Sequence, residues 1–261
     1  MTDDYWQTQS PKKPLFPDIE WGKPEQRTAR GRLGIIGGNK LGFAGVAESY
    51  SVALETGAGE CRVLLPDCLR KQIPSSMTDV VFGTSNPSGS LSKEALPEAL
   101  ALAHWSSCLL MVGDAGRNSE TAVLYSDILR KYKGPLVITR DANDLVKNDA
   151  EVLVNREHTV LVLSFAQLQK IFQSVYYPKT LTFSMQLMQL VETVHKFTIT
   201  YPVTIAVLHR DTLVVAHGGH VTTTQWETPL AIWRGHTASR AATYWMWTQN
   251  QPFEAVTASL L

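Results

Sequence analysis

Four short segments of this chain combine glycines with ionisable side chains in patterns that could do chemistry. Gly37-Gly38-Asn39-Lys40-Leu41-Gly42 could bring backbone N–H groups up to a ligand and hold a phosphate. It could equally be a tight turn, which glycine serves as readily. It has neither the lysine-serine pair of a Walker loop nor the spacing of a GxGxxG fingerprint. Gly113-Asp114-Ala115-Gly116 reads as a ligand-facing turn or as a strand end whose Asp114 caps the next helix. Asp141-Ala142-Asn143-Asp144 offers paired carboxylates for a cation or a hydroxyl, with Asp141 as a helix cap the competing reading. Trp233-Arg234-Gly235-His236 opens a helix, where orphan amides favour an anion. There Arg234 adds a fixed charge and His236 a group that titrates near neutrality, although a solvated Arg234 and an inert helix-start His236 fit the same residues.

Other conspicuous residues point to structure. His217 and His220 bracket Gly218-Gly219, and no third ligand is evident for a metal pair. Cys61, Cys68 and Cys108 are an odd set without CxxC spacing, which argues for reduced thiols over disulfides or zinc. A serine nucleophile would want a GxSxG elbow, and none occurs. Met185, Leu187, Met188 and Leu190 suit the apolar face of a core helix, and Trp245 and Trp247 suit core or subunit packing.

The elements that must position these segments follow from the texture of the chain. With 261 residues, 44% hydrophobic and 18% charged, it can bury a substantial core, and one α/β domain is the expected organisation. Short apolar runs predict strands at 33–36, 61–65, 108–112, 136–139, 159–163 and 203–208. Helical spacing predicts helices at 46–56, 91–103, 119–131, 166–172 and 180–197, so a mostly parallel sheet covered on both faces is implied. Segments 212–216 and 220–224 around His217-Gly218-Gly219 predict a late antiparallel hairpin, followed by closing helices at 235–248 and 252–261. Residues 1–30, punctuated by Pro11, Pro14, Pro17 and Pro24, predict an extended arm with little regular structure ahead of a domain at 31–261. In such sheets ligands bind beyond the carboxyl ends of the strands, where all four segments fall. Lys+Arg and Asp+Glu are both 24, so no net field draws the protein to nucleic acid or anionic lipid. No apolar run approaches a membrane span and the acidic start lacks a signal core, so a cytoplasmic location is expected.

The order of motifs over about residues 24–261 resembles the ribokinase-like ADP- or ATP-dependent NAD(P)H-hydrate dehydratases. Gly31-Arg32-Leu33-Gly34-Ile35-Ile36-Gly37-Gly38 is similar to that family's first strand and glycine turn. Ala53-Leu54-Glu55-Thr56-Gly57-Ala58-Gly59 resembles its "ALRTGAG" signature, and Pro252-Phe253-Glu254-Ala255 its "PFEA" helix start. Gly113-Asp114-Ala115-Gly116 stands at its GPGLG turn, and Gly134-Pro135-Leu136-Val137-Ile138 with Asp141 resembles the strand leading to "DADALN".

The resemblance implies a ribokinase-like three-layer sandwich and a hydro-lyase that repairs hydrated NADH or NADPH. It does so with ADP or ATP, with or without Mg2+ and with no further metal site, in a homo-oligomer. It also implies a carboxylate base in a GxGD turn; here that turn is Trp233-Arg234-Gly235-His236, which puts His236 at the catalytic position. Nucleotide-binding positions fall on Arg234, Gly235, His209 and Arg210. Substrate positions fall on Gly38, Ala44, Gly45, Gly113, Asp114, Gly116, Asp141 and Ser164. The departures gather at the site: "PHPGE" falls on Leu163-Ser164-Phe165-Ala166-Gln167, a lysine-glycine pair becomes His209-Arg210, and Ile232, Trp233 and Arg234 replace small residues. Three readings follow: a dehydratase with His236 as base, a binding module without turnover, or a structural homologue with a filled pocket.

Overall fold

The structure, a computed structural model, describes residues 5–248 and 250–261. Its strands are β1 (Trp6–Gln9), β2 (Arg32–Gly37), β3 (Glu60–Pro66), β4 (Val80–Gly83), β5 (Cys108–Gly113), β6 (Leu136–Thr139), β7 (Thr159–Ser164), β8 (Thr204–His209), β9 (Thr212–His217) and β10 (His220–Gln225). The helices are α1 (Pro17–Trp21), α2 (Ala44–Thr56), α3 (Leu96–Trp105), α4 (Ser119–Lys131), α5 (Asp141–Leu145), α6 (Ala150–Val154), α7 (Phe165–Ser174), α8 (Leu187–Thr200), α9 (Pro229–Trp233), α10 (His236–Thr248) and α11 (Pro252–Ala258).

All ten strands join one sheet in the order β1-β10-β9-β8-β7-β6-β5-β2-β3-β4, antiparallel only where β9 pairs with β8 and β10. Alternation along the central strands builds two cores. Ile36, Leu109 and Met111 face the layer holding Leu124, Ile128 and Phe172, while Ile35, Leu110 and Val112 face the layer holding Tyr50, Ala242 and Trp245. The fold is ribokinase-like and α/β, with the late hairpin in the sheet.

Local chemistry sets most boundaries. Asn118 accepts the N–H groups of Glu120 and Thr121 and starts α4 at Ser119. Gly57, with φ 114°, ends α2 by donating its N–H to the Ala53 carbonyl. Two helices begin later than their spacing predicts. Leu91 is held in a bridge to Ser85, so α3 starts at Leu96 with Pro97 in its first turn, and α8 starts only where the Gln189 side chain takes the Gln186 N–H at 3.0 Å.

The first thirty residues carry more regular structure than their prolines predict. Trp6–Gln9 lies parallel to β10 at the sheet edge. Trp6 Nε1 donates to Thr223 Oγ1 at 3.0 Å, and Gln9 Nε2 donates to Thr224 Oγ1 at 2.9 Å and to the Thr257 carbonyl at 2.6 Å. The polar residues that make this segment look solvated are matched to threonines over 200 positions away. No described helix is long and apolar enough to cross a membrane.

Candidate functional site

Strand order reverses between β2 and β5, and the connections leaving their carboxyl ends diverge there to leave a crevice. A cleft of about 590 Å³ opens at this point. The β2–α2 connection supplies Asn39, Leu41, Gly42 and Ala44; the β5–α4 turn supplies Asp114 and Gly116. Arg140, Asp141 and Asp144 come from the end of β6 and from α5, Gln167 from α7 and Trp233 from α9.

The glycine turn after β2 is built against the protein itself. A Cβ on Gly37 would stand 2.3 Å from the Gly113 carbonyl oxygen, so only glycine lets β2 and β5 pass there, and the Gly38 N–H donates to that same oxygen at 2.7 Å. Asn39 is fixed by its Nδ2 donating to Ser90 Oγ at 2.5 Å and to the Ser88 carbonyl at 3.2 Å. Its Oδ1 accepts the Leu41 N–H at 2.9 Å.

Two aspartates named from the sequence do not cap their helices. Asp141 accepts the N–H groups of Asp114 and Ala115, at 2.8 and 3.1 Å, so it ties down the turn across from its own helix. Asp114 leaves the capping of α4 to Asn118. Its Oδ2 accepts the Gly45 N–H at the start of α2 at 2.6 Å, and its carboxylate pairs with the Arg140 guanidinium. Both members of that pair have left-handed backbone, φ 53° and 55°, a strained setting that side chains adopt where surrounding structure compels it. Burial pushes the Asp114 pKa above the usual carboxylate range, against the pull of Arg140.

Arg140 and Gln167 are functional candidates that sequence reasoning missed. A cationic side chain between a strand end and Asp141 was the available signal for Arg140, and the carboxylates beside it drew the attention. Gln167 donates to the Arg140 carbonyl at 2.7 Å and to Asp144 at 2.9 Å. Lys170 adds a bond to Asp144 at 2.8 Å; burial opposes ionisation there, yet these partners hold its pKa below the usual range. Ser164 is spent on capping α7, accepting the Gln167 N–H at 3.2 Å.

The turn expected to do catalysis is held by its own backbone. The Arg234 N–H donates to the Leu230 carbonyl at 3.0 Å and the Gly235 N–H to the Ile232 carbonyl at 3.2 Å, closing α9. Gly235 has φ 87°, and a Cβ there would lie 2.6 Å from Ser49 Oγ and 3.7 Å from Arg140 Cδ. Arg234 and Trp233 are both exposed, and Trp233 lines the cleft. His236 is half-buried; burial first, and Arg240 second, lower its pKa, which favours the neutral imidazole. Its Nδ1 is buried with no hydrogen-bond partner among the described residues. His209 is buried with its ring 5.4 Å from that of Phe165, and Arg210 is exposed in the β8–β9 turn. The cleft lining thus brings together Ala44, Asp114, Gly116 and Asp141, with Gly38, Gly45 and Gly113 bonded or packed behind it, and does not include His236, Arg234, Gly235, His209, Arg210 or Ser164. Among the described residues no group of three or more His, Cys, Asp and Glu could hold a metal ion.

Neither a protein-family model nor a curated protein matches the sequence. Solved structures do match in fold. A ribokinase-like superfamily protein from Enterococcus faecalis is 13% identical, covering 99% of this chain and 86% of its own, with TM-score 0.70. A hypothetical protein from Streptococcus mutans is also 13% identical, over 92% and 84%, with TM-score 0.68. The ADP/ATP-dependent NAD(P)H-hydrate dehydratase from Bacillus subtilis, co-crystallised with ATP and Mg2+, is 10% identical over 94% and 85%, with TM-score 0.62.

Proposed function

We propose that this chain is a small-molecule-binding protein on a ribokinase-like scaffold, a divergent counterpart of the NAD(P)H-hydrate dehydratases that holds a polar ligand in the strand-end cleft and does not transfer a phosphoryl group. One observation carries the reading: three backbone amides of the cradle that would receive a phosphoryl group are taken by the protein's own groups. The Gly45 amide is taken by Asp114, and the Arg234 and Gly235 amides by carbonyls of α9. A phosphate entering between α2 and α10 would meet the Asp114 carboxylate and would have to displace it from Arg140, a partly buried pair. Magnesium fares no better at these residues. Asp114, Asp141 and Asp144 are committed to Arg140, to two backbone amides, and to Gln167 with Lys170. ADP or ATP with Mg2+ therefore fits this turn poorly. What remains is an open cleft whose Asn39 and Gln167 amides are bonded within the protein and whose exposed surface is largely apolar, with Trp233 and Leu41 on its wall.

A second reading keeps the family's chemistry with His236 as general base, and burial, which lowers its pKa toward the neutral imidazole, favours it. The deciding experiment incubates the pure protein with hydrated NADH, ADP or ATP, and magnesium, and follows the return of reduced-nicotinamide absorbance beside an active dehydratase. A trace no faster than the protein-free control is the expected result. Turnover that is lost in His236→Ala would overturn the binding-only reading.

A further inference from the structure

The 590 Å³ cleft does not end at Gly116. A second cavity of about 490 Å³ shares Gly116, Asp141 and Asp144 with it and continues between α4, α5 and α7. Its lining changes sign: Arg117, Lys147 and Lys170 enter it, and the first lobe has none of them. The two shared carboxylates are already held, Asp141 by the amides of Asp114 and Ala115 and Asp144 by Gln167 and Lys170. Neither Arg117 nor Lys147 forms an ion pair or a hydrogen bond through its side chain among the described residues, and both are exposed. The amides at the start of α4 are not the attraction, because the Asn118 side chain accepts two of them. The surplus positive charge therefore belongs to side chains that face a cavity and form no ion pair or hydrogen bond among the described residues, Lys147 acting on Asp144 only as a nearby charge.

We propose that this second lobe is an anion subsite, and that the ligand of the cleft carries a phosphate-type group that Arg117 and Lys147 bind while its uncharged body lies in the first lobe against Trp233. The proposal rests on the binding reading above and names the ligand's chemistry. A guanidinium beside an ammonium suits the tetrahedral oxygens of a phosphate monoester, with Arg117 able to donate two parallel hydrogen bonds and Lys147 acting as a point charge. The first lobe suits an uncharged, flat body. Trp233 and Leu41, 50% and 90% exposed, stand on its wall, and a ring laid on the indole would cover apolar surface now facing water. A free anion would use only the second lobe, and a phosphorylated organic molecule would use both.

The test titrates the full chain with two probes, inorganic phosphate and phenyl phosphate, by calorimetry and by thermal shift at low salt. Phenyl phosphate should bind at least about tenfold more tightly than phosphate, and Arg117→Gln with Lys147→Gln should weaken both by about tenfold or more, the order for charge-assisted hydrogen bonds at an open site. Trp233→Ala should weaken phenyl phosphate alone, and the exposed control Lys131→Gln neither. Equal affinities that depend on Arg117 and Lys147 but not on Trp233 would confine the site to free anion and overturn the spanning ligand. Phenyl phosphate binding that needs Trp233 but ignores Arg117 and Lys147 would overturn the subsite and leave the cleft a ligand site. No binding of either probe would overturn the subsite as well, whereas recovery of hydrated NADH in the turnover assay would sink the underlying reading separately.

Discussion

Replacing Arg140 by methionine should cost far more stability than replacing Asp114 by asparagine, although the two side chains form one ion pair. The pair is mostly enclosed, with side-chain exposures of 22% for Arg140 and 13% for Asp114. Arg140→Met leaves an enclosed carboxylate held only by the backbone N–H groups of Gly45, at 2.6 Å, and Val46, and stranding a buried charge costs about 3 kcal/mol. Asp114→Asn keeps an oxygen that accepts the same N–H and faces the same guanidinium, so about 1 kcal/mol is lost. At about 2–4 °C per kcal/mol for a chain of this size, Tm should fall by about 6–12 °C and about 2–4 °C respectively.

The pH dependence gives an independent check on that pair. Burial raises the folded pKa of Asp114 above its unfolded value of about 3.9, so its stabilising contribution is complete below that pH and is lost as pH rises through the folded value. The margin of the wild type over Asp114→Asn should therefore shrink from pH 4 upward. Removing the Arg140 cation raises the same pKa further, so the margin over Arg140→Met should grow across that range. Thermal melts followed by circular dichroism between pH 4 and 8 read both trends. An Arg140→Met protein that melts at or above Asp114→Asn, or a margin over it that does not change with pH, would refute the account of the cradle as internally occupied.

Three further outcomes follow from single positions. Gly235→Ala forces a side chain into φ 87° and a Cβ to within 2.6 Å of Ser49 Oγ, so a loss of about 1–3 kcal/mol is expected in denaturant unfolding. Burial lowers the pKa of His209, so its stabilising contribution is present above the unfolded value of about 6.5 and is lost as pH falls through the folded one; His209→Phe should flatten part of the acid-side decline in Tm. Gln9→Ala removes buried bonds to Thr224 and to the Thr257 carbonyl, and native-state hydrogen exchange should show β1 amides losing protection ahead of those of β8, with about 1–3 kcal/mol less to open them.

Much of the fold was legible because its signals are local. The strand at Leu136–Thr139 and the helix at Ser119–Lys131 have the predicted bounds, since a β-branched run bounded by Pro135 and a helix started by Asn118 are complete within a few residues. The hairpin at His217-Gly218-Gly219 was legible for the same reason, and its glycines take φ 55° and 85°. β1 was hidden because its partner threonines lie more than 200 residues away, and β4 because a short edge strand has no periodicity to show. In the site, the sequence placed the glycine turns, Asp114 and Asp141 at strand ends, which any βα connection does with its loop residues.

Only the tertiary structure decided what those residues hold. Gly45 and Asp114 are 69 residues apart and Arg140 and Asp114 are 26 apart, and they meet because the strand order reverses between β2 and β5. Side chains that a linear reading offers to a ligand are there satisfied by each other. Polar groups enclosed together bond to whatever partner the fold delivers, and the sequence records the donors and acceptors without recording which of them meet.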